Sequence, residues 1–268
     1  MASFSVVSNI ASANAQANLH TTQIGLQRSL TRLSSGFRIN SSGDDAAGLV
    51  SANQIRQNLA VTTQGIRNAN DGLSDLQIKD GALANVATLL DRLATLASQA
   101  ASGSNYTQAA LNSEFTDVLA EINRETAVAG LGGTADVGFS VFVSNSSGTD
   151  GKITGSITPV TTTSLGIDAQ VLTSQAAAQT AVTNVATAVT TLGTSQAKIG
   201  TLQNRLQFAI SLAQSQVVNG QAAESRIRDA NVAEESANMT RYNILTQSGI
   251  AALAQANNST SAVLSLLR

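Results

Sequence analysis

Apolar residues recur every three or four positions along most of this chain, and in one short stretch they alternate instead. Ala52, Ile55, Leu59, Thr62, Ile66, Ala69, Leu73, Leu76, Leu83, Ala87, Leu90, Ala94 and Ala97 keep the helical spacing, interrupted by Asp80. That period is a coiled-coil seam and predicts one helix from Ala46 to about Gln99. At 1.5 Å per residue such a helix runs roughly 75 Å, more than a globular domain needs. Val182, Val185, Val189, Leu192, Gln196, Ile199, Gln203, Leu206, Ile210, Ala213 and Val217 predict a second long helix from about Thr173 to Val218. Gln196 and Gln203 fall at polar seam positions, which fix register at some cost in stability. Gly193 and Gly200 weaken that helix locally, and Asn219-Gly220 reads as a break or kink.

Between the two long helices the chemistry changes. Ser102-Gly103-Ser104-Asn105 reads as a turn, after which Leu111, Phe115, Val118 and Ile122 mark a shorter helix folded back antiparallel. Gly130, Gly132 and Gly133 stop it. Val137, Phe139, Val141 and Val143 alternate as a strand does, Asn145 to Gly151 reads as a turn, and Ile153 and Ile157 mark a second short strand ended by Pro159. A Thr-rich loop, Thr158 to Ser164, follows.

The two ends are alike. Met1 to Gln27 and Tyr242 to Leu267 contain no Asp, Glu, Lys or Arg. Phe4, Val7, Ile10, Ala11, Ala17 and Ile24 form one helical stripe, continued by Leu26, Leu30 and Leu33. Met239, Tyr242, Leu245, Gly249, Leu253 and Ala256 form another. Such narrow amphipathic helices are marginal in water without packing. Each is joined to a long helix by a charged connector, Ser34 to Asp45 at one end and Arg226 to Asn231 at the other. In the first, Ser41-Ser42-Gly43-Asp44-Asp45 suits a break in one helix and a cap on the next. A chain that goes out and returns along itself explains this symmetry, with both termini at one pole and the hairpin at the other.

The pattern thus predicts a mainly α chain: a long antiparallel helical rod, or coiled-coil bundle, with a small β-hairpin region and paired N- and C-terminal helices. The expected division is a terminal-helix domain (1–42 with 232–268), a rod domain (43–135 with 172–231) and a small outer region (136–171).

Composition fits a rod of small residues. Of 268 residues, 3% are aromatic and 12% charged, with no Cys, no Trp, one Pro and one His; an average chain has about 25% charged residues. The net charge of -2 and the lack of a basic stripe argue against nucleic acid. No run approaches the ~18 apolar residues of a membrane span. The first basic residue is Arg28, so the N-terminus lacks the basic start of a secretory signal, and export is expected to use another route. With His20 alone and no Cys, zinc ligation and Cys–His catalysis are essentially excluded, and a Ser–His–Asp triad would need His20. Asp44 and Asp45, adjacent at a helix start, are a cap and a favourable charge near the helix dipole before they are a metal pair. Gly130-Leu131-Gly132-Gly133 lacks the Lys and helix of a phosphate loop. No catalytic residue, metal ligand or cofactor is assigned, and the chain is read as a non-enzyme.

As strings, two stretches are specific. The first holds Leu33-Ser34-Ser35-Gly36, Arg38-Ile39-Asn40 and Asp44-Asp45-Ala46-Ala47-Gly48-Leu49. The second runs from Arg226-Ile227-Arg228-Asp229-Ala230 through Glu234-Glu235, Asn238-Met239, Ile244-Leu245, Gln247-Ser248-Gly249 and Leu253-Ala254-Gln255-Ala256-Asn257 to Val263-Leu264-Ser265-Leu266-Leu267. In this order they resemble the N- and C-terminal signatures of bacterial flagellins, here in a short form without large outer domains.

The resemblance implies a structural subunit that self-assembles into the flagellar filament for motility. It puts self-assembly on the two ends: Phe4, Val7, Ile10, Leu26, Leu30, Leu33, Met239, Tyr242, Leu245, Leu253, Leu264 and Leu267. Heterologous contacts between copies then give an open helical polymer. The partners it implies are further copies, the flagellar type III export apparatus, a flagellin chaperone, and hook-associated junction and cap proteins. The location is extracellular, with a periplasmic filament left open. Exposed Ser and Thr between Ser144 and Ser164 are where O-glycans are expected. The patch that innate receptors recognise in some flagellins maps to Arg92, Leu96 and Glu114, but Ala94 and Thr95 replace its central basic and acidic residues. The rival readings are a hook–filament junction protein and, from another class, a secreted adhesion or receptor-binding module.

Overall fold

The computed structural model describes residues 9–102, 107–144 and 150–266, with side chains of the last helix as far as Ser259. In chain order it contains α1 (Ile10–Ser35), α2 (Ala46–Ala101), α3 (Gln108–Val128), β1 (Val137–Phe142), β2 (Lys152–Ile157), α4 (Gln175–Arg228) and α5 (Val232–Leu266). These form two compact units. One comprises residues 1–57 with 219–268, the other residues 58–218.

The central unit (58–218) holds the larger core. Leu76, Leu83, Leu90 and Leu93 on α2, Phe115 and Ile122 on α3, and Val185, Leu192, Ile199 and Leu206 on α4 are all buried. The helical period predicts these faces, but two details of the seam differ. On α2 the position after Leu76 is taken by Lys79, which is buried, while Asp80 faces out. The stem of Lys79 packs inward and its Nζ donates to the Asp75 carboxylate one turn back, at 2.5 and 2.6 Å. On α4, Ala188, Ser195 and Leu202 are buried, whereas Val189 is 44% exposed and Gln196 and Gln203 are half-buried. The seam therefore runs one residue earlier there than the sequence suggests, and the polar residue inside it is Ser195. The small side chains at 188 and 195 allow close approach, which the longer ones beside them do not.

Gly220 does not break α4, which continues to Arg228. A helical Gly costs only about 1 kcal/mol, less than tertiary packing restores. Nearby, the Arg56 guanidinium donates to Glu224 through Nε (3.1 Å) and Nη2 (2.8 Å).

The two strands pair antiparallel, with Val137 opposite Ile157 and Phe142 opposite Lys152. The turn expected over Asn145 to Gly151 lies largely outside the described residues, as does most of that at Ser102 to Asn105. A two-stranded sheet is not stable alone; helices on either side hold this one. Towards α2 it lies so close to Gly65 that a Cβ there would stand 1.9 Å from the carbonyl oxygen of Val143. Towards α4, Gly155 leaves room for the Leu202 side chain. Asn68 Nδ2 donates to the Phe142 carbonyl (3.3 Å) and Arg205 Nη1 to the Thr154 carbonyl (3.0 Å). These helix side chains satisfy strand groups that would otherwise be open.

The Thr-rich loop is packed. Thr162 is buried, its N–H donates to Asn123 Oδ1 (3.0 Å), and Asn123 Nδ2 donates to its hydroxyl (2.9 Å). Ile167 and Leu172 carry the loop back into the core.

Candidate assembly surface

In the terminal unit α1 runs antiparallel to α5. Asn9 Nδ2 donates to the Ala256 carbonyl (3.0 Å), Leu19 faces Gly249, Gly25 faces Tyr242, and Arg32 Nη1 bonds Glu235 Oε1 (3.1 Å). The two glycines are notches. A Cβ on Gly25 would stand 2.6 Å from Cζ of Tyr242, and one on Gly249 would stand 3.1 Å from Cδ1 of Leu19.

The connectors are tied to each other. α1 ends at Gly36, which takes a left-handed φ of 72°. Phe37 then bridges Asp229, Arg38 N–H donates to the Arg228 carbonyl (2.6 Å), and Ala230 N–H donates to that of Gly36 (2.9 Å). The Arg228 guanidinium lies 4.2 Å from the centre of the Phe37 ring, and Ile39 is buried, its Cδ1 close to Gly48. Asp45 caps α2 by accepting from Gly48 N–H (2.8 Å).

Asp44 organises the first connector. Its Oδ2 accepts from Ser41 N–H and Oγ (both 3.0 Å) and from Asn40 N–H (3.2 Å), with Arg32 4.0 Å from the other oxygen. The Ser41 backbone bond, helped by the Ser41 hydroxyl, the Asn40 N–H and the Arg32 charge, holds its carboxyl below the usual value of 3.8. A carboxylate with a depressed folded pKa stabilises the fold above its unfolded pKa, and loses that contribution as pH falls through the folded value. Acid unfolding should therefore release this connector below about pH 4. Asp44→Asn should be less stable at pH 7 and show a shallower loss of stability below pH 4 in denaturation melts followed by circular dichroism.

Burial on the terminal pair is inverted relative to an ordinary helix hairpin. Among the described side chains of α1 and α5, the buried ones are Ser29 and Glu235. Large apolar groups face out: Ile10 (65% exposed), Leu30 (56%), Ile244 (58%), Leu245 (46%) and Ile250 (57%). Leu26, Leu33, Met239, Tyr242 and Leu253 are half-buried. Phe4, Val7 and Leu267 lie outside the described residues, and the side chain of Leu264 is likewise not described. Sequence reading missed Ile244 and Ile250, which sit off the stripe that faces α1. It also passed over Gly25, whose place inside an unbroken helix was the available signal of a close approach.

The receptor patch does not form one surface. Arg92 Nε donates to Glu114 Oε1 (2.9 Å) and both side chains are partly exposed, but Leu96 is fully buried in the core. The α2 seam, which includes Leu93, Ala97 and Ala100, takes Leu96 inward with it.

Comparison with known proteins agrees with this architecture. The family model of the bacterial flagellin N-terminal helical region matches residues 6–131, and that of the C-terminal helical region matches residues 182–267. A flagellin of Halalkalibacterium halodurans is 35% identical over 268 residues, covering 97% of this chain and 98% of its own. The chain belongs to the bacterial flagellin family. Flagellin FlaB1 of Treponema pallidum is 30% identical over 97% of this chain and 98% of its own. The flagellar filament 33 kDa core protein of Treponema phagedenis is 32% identical over the same shares. This flagellin is a structural subunit of the flagellar filament, which serves motility. Among its described residues no helix is long and apolar enough to cross a membrane.

Proposed function

We propose that copies of this flagellin pack into the filament through the outward faces of α1 and α5, with Ile10, Leu30 and Leu245 at the contact and Leu26, Leu33, Met239, Tyr242 and Leu253 holding the pair together. The family's sequence pattern assigns the same assembly role to Phe4, Val7, Leu264 and Leu267. The observation that supports this is the inverted burial of the terminal pair. A half-exposed Ile or Leu gains about 1 kcal/mol when a neighbour covers the rest of it. Several such groups on one narrow element, repeated in every subunit, favour association over the separate chain. The charge-free ends lower the cost, since no ionised group needs to be desolvated there.

The role is structural and non-catalytic. The chain is exported through the flagellar type III apparatus, with a flagellin chaperone covering the apolar ends beforehand, and the filament stands outside the cell. Hook-associated junction and cap proteins meet its two ends. The terminal helices, the helical rod and the hairpin region act as separate layers of the subunit.

Seeded growth tests this reading. Purified full-length chain added to short filament fragments should elongate them, seen by light scattering and electron microscopy. A junction protein would give rings, short oligomers or no growth. An adhesion module would show a saturable ligand and no polymer.

A further inference from the structure

The hairpin of the central unit has an edge that its own helices leave partly open. Val143 N–H donates to the Gly151 carbonyl (2.9 Å), and the register continues through Val141 with Ile153, Phe139 with Gly155 and Val137 with Ile157. Bonded and non-bonded pairs alternate in an antiparallel ladder, so Ile153, Gly155 and Ile157 are the residues that bond to β1. Thr154, Ser156 and Thr158 turn their N–H and C=O groups to the outer edge of β2. Arg205 Nη1 covers the Thr154 carbonyl (3.0 Å), and Ser195 Oγ lies 3.5 Å from that of Thr158. Between them, the N–H and C=O of Ser156 and the N–H of Thr154 have no partner among the described residues.

Beside this opening, between β2 and α4, lies a recess of about 400 Å³. Its α4 wall is Thr194, Ala197, Lys198 and Thr201, and Leu202 closes it against Gly155. The two threonine hydroxyls already donate to carbonyls of their own helix, 2.7 Å to Thr191 and 2.9 Å to Ala197. The wall can therefore be covered without stranding a donor. A further strand set ~4.8 Å outside β2 would run along these small side chains and meet the open groups of Ser156.

Charge says what kind of segment fits. Residues 151–167 hold Lys152 and no carboxylate, and residues 169–223 hold Lys198 and Arg205 and no carboxylate. Asp168, which separates the two runs, accepts from the Thr163 hydroxyl (3.5 Å). Lys198 Nζ donates to Thr158 Oγ1 (2.6 Å) and Arg205 to a carbonyl, both neutral. None of the three cations joins an ion pair among the described residues.

We propose that the outer edge of β2 accepts an extended acidic segment of a separate protein as a third strand, with Ser156 exchanging backbone hydrogen bonds with it and Lys198 and Arg205 pairing with its carboxylates. Backbone pairing supplies the register, and the cations choose the partner. The contact involves neither terminal helix and does not depend on the filament reading.

The probe is a fluorescein-labelled heptapeptide with Val and Thr alternating between a Glu at each end, titrated into the full-length unassembled chain and followed by anisotropy. Binding should saturate, and amide exchange at Thr154 and Ser156 should slow while that at Gly155 stays as it was. The same peptide N-methylated on the amides that face β2 should bind at least about tenfold more weakly. Ser156→Pro removes an N–H that the ladder with β1 does not use, so the variant should melt as the parent does and lose at least about tenfold in affinity. Ala197→Glu, an exposed helix position on the recess wall, should do the same without touching the strand. Lys198→Glu should favour a peptide ended by Lys over the one ended by Glu. No saturable binding up to about 1 mM overturns the proposal. Parent-like affinity in both Ser156→Pro and Ala197→Glu, or unchanged exchange at Ser156, overturns the edge as the site. Equal binding of the Lys-ended peptide by the parent overturns the acidic assignment. Slowed seeded growth of Ser156→Pro with no peptide bound by the parent gives the edge to another copy of this chain and overturns the separate partner.

Discussion

A chain lacking residues 242–268 is expected to stay a soluble monomer that neither elongates seeds nor nucleates filaments. The deletion removes most of α5 and, with it, the Tyr242 ring lodged at Gly25, the Gly249 notch that receives Leu19, and the carbonyl of Ala256 to which Asn9 donates. It leaves Arg32–Glu235 and the bridge between the connectors. α1 then has no partner for most of its 26 residues, and an isolated helix with so little packing is marginal in water. The outward groups Ile244, Leu245 and Ile250 go at the same time. Circular dichroism should register the loss of more helix than the deleted segment itself contained, while the central unit keeps its melting transition. Elongation by the shortened chain at the parent's concentration would show that the terminal pair is not where copies meet.

Gly65→Ala is expected to destabilise the central unit by about 3 kcal/mol, although the same change in an open helical position stabilises. The usual helix gain of Ala over Gly is about 1 kcal/mol. Against it stands a Cβ placed 1.9 Å from the oxygen, 2.5 Å from the carbon and 2.9 Å from Cα of Val143, all backbone atoms without a rotamer to escape into. The hairpin must lift from α2, which loses the Asn68–Phe142 hydrogen bond and loosens Phe139 and Val143 in the core. Gly193→Ala and Gly200→Ala, where an added Cβ meets nothing within 4 Å, should raise stability by about 0.5–1 kcal/mol each. Denaturant titration of the three variants compares the two signs directly. Amide exchange along β1 should quicken only for the change at Gly65.

The helices could be read because α2, α3 and α4 each bury one face, and a buried face writes its period into the sequence. The hairpin could be read because Val137, Phe139, Val141 and Val143 alternate. What could not be read was which of two adjacent residues turns inward. Asp80 looks like the interruption of the seam, yet the reach of a lysine stem, with Asp75 one turn back to receive its charge, turns Lys79 inward instead. Ser195 beside Gln196 poses the same problem, since a small polar residue is quieter in a pattern than a long one. Leu96 matched a surface motif as a string, yet packing against neighbouring elements takes it inside. On the terminal helices the stripe mixed two faces: Leu26, Leu33, Met239, Tyr242 and Leu253 are half-buried, while Ile10, Leu30 and Leu245 face out. Ile244 and Ile250 have no periodic partner in the chain, because the groups proposed to cover them belong to other copies.

The notches at Gly25 and Gly249 give the terminal pair teeth. Sliding α1 along α5 by one turn would bring Tyr242 opposite a residue with a side chain, Thr21 or Ser29, and would carry Leu19 away from its gap at Gly249. The pair behaves as a key already turned, with no second position of similar energy. Any change of pitch in a polymer of these subunits must then be taken up at the seams between molecules.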